Sequence, residues 1–382
     1  VSPKQPATMS NIECKAAILY EEGRPMFIET VLVKAPGRDE IRIKMISAGI
    51  CASDGHYAWG QHKFADLGVK LPMVLGHEAA GVIESFGDGV EGFNKGDPVL
   101  LASSAQCNNC SWCRKKDSNL CKEYEFTNSM LKSGDKTLAA DGSKLVSFCG
   151  LGVYSEYVTI SKLKVIKVDP RLNLESACII SCSVSTGFYS ATHLAKVTPG
   201  STCAIWGLGG IGLNTVLGCK FIGASVVIGI DLNDSKQQIA EECGCTHFIN
   251  PNKLKEPLSD YLQREFDGID FAFDAIGHQK VIDQALASLA INGTFTEIGL
   301  CDENVKLNYP AFKLLYGRRI IGGILGNRKP EESYPELVRM CIEGNYNIDR
   351  LISHKFKLEQ VNEAFETLKQ GDCIRSVIIF DH

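Results

Sequence analysis

The sequence has no apolar run approaching the ~18–20 residues of a membrane-spanning helix, so a transmembrane anchor is excluded. It has no charged-then-apolar opening of the secretory type. It also lacks any cluster of lysine and arginine, any repeat and any low-complexity stretch. With 45 acidic residues against 40 basic ones and a net charge of −5, nothing in it attracts nucleic acid or an anionic membrane. Charged residues at 22% and hydrophobic ones at 45% exclude a disordered chain. At ~100–200 residues per domain, 382 residues predict two domains. Residues 1–8 carry no pattern and, with Met9 following, read as a leader.

Cysteine is what the chain has in plenty, sixteen in all. Without a secretory start, they imply a reducing, cytoplasmic setting. There, cysteines serve as metal ligands, catalytic groups or small buried hydrophobes rather than as a disulfide framework.

The texture divides the chain. Up to about residue 161 it reads as strands with loops: 14–20, 26–33, 40–50, 79–87, 97–102 and 154–161, rich in β-branched residues. From about residue 184 strands and helices alternate: strand 202–207, helix 210–222, strand 225–231, helix 235–243, strand 271–277, helix 279–290, strand 293–299. Such alternation predicts a parallel sheet with right-handed crossovers. From 331 the chain reads as two helices and a last strand, 376–380.

Gly207-Leu208-Gly209-Gly210-Ile211-Gly212 has the G-x-G-x-x-G form, which alone marks only a tight loop. Here it follows an apolar strand, opens a helix, and is followed at the end of the next strand by Asp231. That is the full dinucleotide fingerprint. Gly207 permits the turn, Gly209 lets the backbone approach a pyrophosphate, and Gly212 lets helix and strand pack. The pyrophosphate would sit at the helix N-terminus. A carboxylate at Asp231 accepts ribose hydroxyls and repels a 2′-phosphate, which favours NAD over NADP. Lys236 either donates to the same ribose or is a solvated helix lysine.

Cys107, Cys110, Cys113 and Cys121 place four thiols within one loop. Four thiolates make a closed tetrahedral zinc site that ties a loop lacking a core of its own. An iron–sulfur cluster takes the same ligands. A nucleic-acid zinc ribbon would need more positive charge than this loop or chain supplies. A second group, Cys51-Ala52-Ser53-Asp54-Gly55-His56 followed by Gly76-His77-Glu78, combines reactive residue types, and neither half is decisive alone.

Taken together, GICASDGH (49–56), LGHEAAGVIESFGDGV (75–90), the Cys107–Cys121 loop, CIISCSVSTG (178–187), GLGGIG (207–212) and IGID (228–231) resemble the zinc-dependent medium-chain alcohol dehydrogenases, of the long-loop dimeric animal and plant type. The resemblance runs from about residue 14 to residue 380. It implies a GroES-like antiparallel β catalytic domain, residues 1–183 and 325–382. It also implies a Rossmann coenzyme domain with a doubly wound parallel sheet, residues 184–324. It further implies two Zn²⁺ per chain, NAD, a homodimer, and hydride transfer between the coenzyme and a primary or secondary alcohol or an aldehyde.

By the same resemblance Cys51, His77 and Cys182 bind the catalytic zinc and leave a fourth position open. Glu78 lies just behind the metal, and Asp54 holds the second imidazole nitrogen of His77. The alcohol proton leaves through Ser53, the nicotinamide ribose and then His56, an imidazole being suited to proton transfer near neutral pH. Arg375 matches a coenzyme-phosphate contact, and Thr186 a position beside the nicotinamide. Ile298, Gly299 and Leu300 match the stretch that meets the carboxamide.

The chain departs from the family pattern at several places. Ala52 stands where a positive residue usually meets the pyrophosphate, which predicts weaker NADH binding. Ser103 stands where narrow-pocket members carry an aromatic ring, and the segment between His56 and His77 is longer, with Trp59 and Phe64 as lid residues. Phe126 and Phe148 match pocket-lining positions. A roomy pocket for bulky alcohols or aldehydes is expected. Glu125, where an arginine would grip glutathione, disfavours the glutathione-dependent branch. One rival reading is a reductase specialised for one large carbonyl or iminium substrate. Another is a retired, non-catalytic homologue, which the retained ligand set argues against.

Overall fold

The computed structural model describes residues 9–115, 119–133, 135–302, 304–371 and 373–381. Two sheet systems built from opposite sequence textures organise it. In the first, Ile12–Leu19, Phe27–Val33, Thr137–Leu138, Lys144–Ser147 and Met73–Val74 close into a small barrel. Beside it lies a mainly antiparallel sheet centred on Glu40–Ile50, which pairs with Glu78–Phe86, Tyr157–Ser161 and Ser376–Ile379. The interiors of both are filled by Ile, Val, Met and Phe side chains such as Ile18, Val33, Ile43, Met45 and Phe148, all nearly inaccessible.

The second system is a six-stranded parallel sheet. Its order is His247–Ile249, Val226–Ile230, Thr202–Trp206, Ile269–Asp274, Leu289–Glu297, Arg319–Gly322. Both faces are covered, which is why these strands are apolar runs rather than alternating ones. The order reverses between Thr202–Trp206 and Ile269–Asp274. That is the switch point at which open parallel sheets bind ligands beyond the C-terminal strand ends.

The helix Gly210–Ile222 falls on its predicted bounds and ends at Gly223, whose φ of 90° is the left-handed conformation of a C-terminal glycine cap. The helix expected over 279–290 is shorter, Gln279–Ala287. Leu289 already pairs with Ile269, and the register then shifts before the next pairs. The first system is also less purely antiparallel than expected. Met73–Val74 pairs in parallel with Lys144–Ser147, and His354–Phe356 with Ser376–Ile379.

The two systems are joined by a buried helix, Ser183–Tyr189, that packs on Gly210–Ile222. Gly187 and Gly218 make that approach possible: a Cβ on either would press into the facing backbone. Hydrogen bonds from Tyr334 Oη to Ser181 O (2.6 Å) and from Asn119 Nδ2 to Ile324 O (2.6 Å) fasten the same seam. Among the described residues, no helix is long and apolar enough to cross a membrane.

Candidate metal and coenzyme centre

The loop cysteines come together. Cys107, Cys110, Cys113 and Cys121 offer ligand atoms that all lie within 4.8 Å of one another. The Cys107 and Cys113 sulfurs are 3.8 Å apart, and those of Cys110 and Cys113 3.5 Å. Four sulfurs at the ~2.3 Å zinc–thiolate bond length in a tetrahedron stand ~3.8 Å apart, so the set matches a zinc cage. Backbone N–H groups of Cys110 and Cys113 donate to the sulfurs of Cys107 and Cys110, each at 3.4 Å. The N–H of Cys113 is the main reason the Cys110 thiol is lowered to about 6, whereas burial pushes Cys113 up to about 12. Held so close without a cation, the four cannot all ionise; with one, they can.

The second group is assembled from three separate segments. Cys51 follows the strand Glu40–Ile50, His77 immediately precedes the strand Glu78–Phe86, which Glu78 opens, and Cys182 precedes the buried helix Ser183–Tyr189. Their ligand atoms, Glu78 included, again lie within 4.8 Å of one another, and all are buried or nearly so. Asp54 Oδ2 stands 3.0 Å from His77 Nδ1. Asp54 is itself fixed, accepting from Gly76 N (2.8 Å) and Tyr154 Oη (3.3 Å). Burial alone would lower the His77 pKa, but Asp54 and the two thiols outweigh it and raise it. A hydrogen bond from Cys182, with the charges of His77 and Arg375, draws the Cys51 thiol down. Burial pushes Glu78 up to about 8. Neither Glu78 oxygen accepts a hydrogen bond from the described residues, although Arg375 Nη1 is 3.3 Å from Oε1. Buried thiols, an imidazole and an orphaned carboxylate form a donor set suited to a divalent cation.

The glycine turn lies alongside. Gly207 has φ +88°, and a Cβ on Gly212 would collide with Gly207 O, so both must be glycine. Above Gly209 a Cβ would meet nothing within 4 Å, which leaves the open space a pyrophosphate requires. The Arg375 guanidinium reaches to 2.8 Å from a Cβ position on Gly210. One arginine thus spans from Glu78 in the metal group to the N-terminus of the coenzyme helix, and also donates to Ile50 O at 2.8 Å. Asp231 accepts from Leu208 N (2.8 Å) inside the turn and from Lys236 Nζ (3.4 Å). Lys236 therefore reaches the carboxylate and is not simply solvated. Ile211 lies in the first turn of the helix. Thr186 is buried in Ser183–Tyr189, and Ile298, Gly299 and Leu300 follow the strand Leu289–Glu297.

A family profile described as "Alcohol dehydrogenase GroES-like domain" matches residues 37–170, and one described as "Zinc-binding dehydrogenase" matches residues 210–343. A geraniol dehydrogenase of Carpoglyphus lactis is 51% identical over 373 residues, 97% of this chain and 98% of that protein. This chain belongs to the zinc-dependent medium-chain dehydrogenase family. An alcohol dehydrogenase zinc-binding domain protein from Burkholderia ambifaria matches in structure with a TM-score of 0.90 at 27% identity, covering 98% of this chain and 100% of that one. Benzyl alcohol dehydrogenase from Acinetobacter calcoaceticus matches with a TM-score of 0.86 at 25% identity, covering 97% and 100%. The chain is a zinc-dependent, NAD(H)-linked oxidoreductase of the alcohol and aldehyde class, with a GroES-like and a Rossmann domain.

Around this centre Ser53 and His56 lie one turn apart on the helix Ala52–Ala58, both half-buried, and so share a face. Phe148 packs 5.7 Å from the His77 ring and 5.2 Å from Phe126. Tyr57 and Phe64, stacked at 4.4 Å, complete that group. Trp59 is placed differently from Phe126 and Phe148: its ring packs against Phe365 and His56, each at 6.3 Å. The Gly55 Cα tucks under the indole, and a Cβ there would strike it, which fixes the ring on that side. Ser103 is half-buried, and its carbonyl accepts from Lys164 Nζ at 3.3 Å. Sequence reasoning missed Tyr154, which holds Asp54. It also missed Gln61, whose Oε1 lies 2.5 Å from His56 Nδ1. Neither has a local motif; each is found only when distant or looping segments meet.

Proposed function

We propose that the enzyme interconverts bulky, apolar primary alcohols and their aldehydes, with NAD as coenzyme, as a cytoplasmic homodimer carrying two zinc ions per chain. The observation that carries this reading is the aromatic group Tyr57, Phe64, Phe126 and Phe148, of which Phe148 packs against the ring of His77. It gives the reacting centre an apolar, water-excluding side, while Ser103 leaves room where a ring would narrow it. Relatives named for geraniol and benzyl alcohol, both carrying unsaturated apolar groups, support the same class.

Bound by Cys51, His77 and Cys182, a zinc ion supplies Lewis-acid polarisation of the substrate oxygen. Asp54 fixes the tautomer and direction of His77. The Gly207–Gly212 turn and Arg375 hold the coenzyme phosphates, Asp231 and Lys236 its adenosine ribose, and Thr186 with Ile298, Gly299 and Leu300 the nicotinamide end. Ser53 accepts the substrate hydroxyl proton, and His56 passes it to solvent. The four loop cysteines hold the second zinc. The six parallel strands, which all fall between residues 184 and 324, support a domain division near those points. Arg319–Gly322 leaves one sheet edge open, with exposed Phe312, Leu315 and Ile324 nearby. We assign the homodimer contact there.

Coenzyme-coupled assays across alcohols of graded size test the reading. Ser103→Phe should lower kcat/KM for bulky alcohols relative to ethanol by roughly ten- to hundredfold, since overpacking costs ~1–3 kcal/mol. An unchanged ratio removes Ser103 from the pocket. NAD⁺ should exceed NADP⁺ in kcat/KM by at least about tenfold; equal values would defeat the role given to Asp231.

A further inference from the structure

The GroES-like domain holds a charged group that the chemistry above does not use. Lys164 is 3% exposed, yet among the described residues no carboxylate lies within ion-pair reach of it. Its ammonium donates to Cys149 O at 2.6 Å and Ser103 O at 3.3 Å, and stands 5.8 Å from the centre of the Tyr124 ring. Backbone carbonyls and a ring face solvate a cation only in part. Burial accordingly lowers its pKa to about 8. A buried cation without a counter-ion is costly unless something supplies one.

Lys164 lines a cleft of about 180 Å³. The other charged groups on its wall cancel in pairs: Lys132 with Glu123 (2.6 Å) and Lys136 with Glu40 (2.6 Å). The charge left over is that of Lys164. On the same wall is Ser129, 5% exposed, whose hydroxyl has no hydrogen-bond partner among the described residues. One uncompensated ammonium and one unused hydroxyl on the wall of a small cleft form complementary donors for an oxyanion.

We propose that this cleft, between the helix Phe126–Ser133 and the strand Tyr157–Ser161, is a binding site for a small monoanionic carboxylate, held by Lys164 and Ser129. A single excess positive charge suits a monoanion, and the carboxylates of Glu40 and Glu123 disfavour a dianion such as phosphate. The cleft shares no lining residue with the zinc and coenzyme groups, although Lys164 also donates to Ser103 O and the helix on its wall begins at Phe126 of the aromatic group.

The test is the thermal stability of the zinc-loaded full chain titrated with sodium acetate, against sodium chloride at equal ionic strength and against phosphate. The expected result is a saturable rise in Tm with millimolar acetate that neither chloride nor phosphate reproduces. Lys164→Met should abolish it. Ser129→Ala, which keeps the buried cation and its carbonyl contacts, should weaken apparent acetate affinity several-fold, and decides the matter if Lys164→Met does not fold. No saturable acetate effect in the wild type would overturn the proposal. So would an effect retained in full by both variants, which would place acetate at the metal instead, or equal stabilisation by phosphate.

Discussion

The two cysteine groups solve the same coordination problem in opposite ways. Cys107, Cys110, Cys113 and Cys121 lie within one loop, partly exposed, and their backbone N–H groups bond one another's sulfurs. Among the described residues its sulfur contacts come from within the loop, which Asn119 ties to Ile324 O. Cys51, His77 and Cys182 come from segments far apart in the chain and are 2–9% exposed. They are framed by Asp54, Glu78, Tyr154 and Arg375, each held by further contacts. A local set of this kind would be held by its metal, and on the proposed reading that metal would stabilise the loop. A distributed set is gathered by the packing of separate segments of one domain, so its geometry does not depend on a single loop.

The difference can be broken by paired substitutions. Cys182→Ser should lower kcat/KM by roughly a thousandfold or more, matching the several kcal/mol that Lewis-acid polarisation supplies. Zinc should fall from two per chain to one while the fold persists. Cys113→Ser should also fall to one zinc, yet act first on stability: the 107–121 loop should become protease-sensitive and thermal inactivation faster, with the initial rate of fresh protein largely kept. Metal analysis, limited proteolysis and initial rates check both. If Cys113→Ser abolished activity at once in protein with an intact loop, the local group would not be a purely structural tie.

The same contrast explains what could be read from the sequence. The loop cysteines, the glycine turn and the helix Gly210–Ile222 are local patterns, and each stands where its spacing put it. The Cys51, His77 and Cys182 set needed the family resemblance, because spacing could not choose Cys182 over Cys178. In the structure Cys178 is turned into the core and Cys182 into the group. Short strands such as Met73–Val74, Thr137–Leu138 and His247–Ile249 are too brief to carry any periodicity. The helix Ser183–Tyr189 is buried on every side and contains Gly187, so neither amphipathicity nor propensity announces it. Lys164 reads as an ordinary surface lysine until the fold buries it.

A smaller change sharpens the comparison by leaving every ligand in place. Asp54→Asn keeps shape but removes the charge 3.0 Å from His77 Nδ1. Supporting groups of this kind are worth ~10–100-fold in metal affinity or activity. The expected result is a loss in that range, with weaker zinc retention at the distributed site and none at the loop. Zinc loss measured against a chelator separates the two sites. A retention curve identical to wild type would mean that packing alone orients His77.

The smallest expected effect lies farthest from the metal, at Gln61. The segment after the helix Ala52–Ala58 folds back on His56: Gln61 N and His62 N both donate to His56 O, at 2.9 and 3.1 Å. Gln61 Oε1, which can only accept, lies 2.5 Å from His56 Nδ1, so that nitrogen carries the proton and Nε2 is left as the base. On the relay proposed for His56, the contact with Gln61 selects the tautomer whose Nε2 can accept a proton. Gln61→Leu removes one neutral hydrogen bond, ~0.5–1.5 kcal/mol, so kcat/KM for alcohol oxidation should fall about two- to tenfold. KM for the coenzyme should stay unchanged, and added imidazole should restore part of the rate. A loss that imidazole does not relieve would make Gln61 a packing residue of the 57–64 segment. The distributed site would then end at Asp54 and Arg375 rather than extend to the surface.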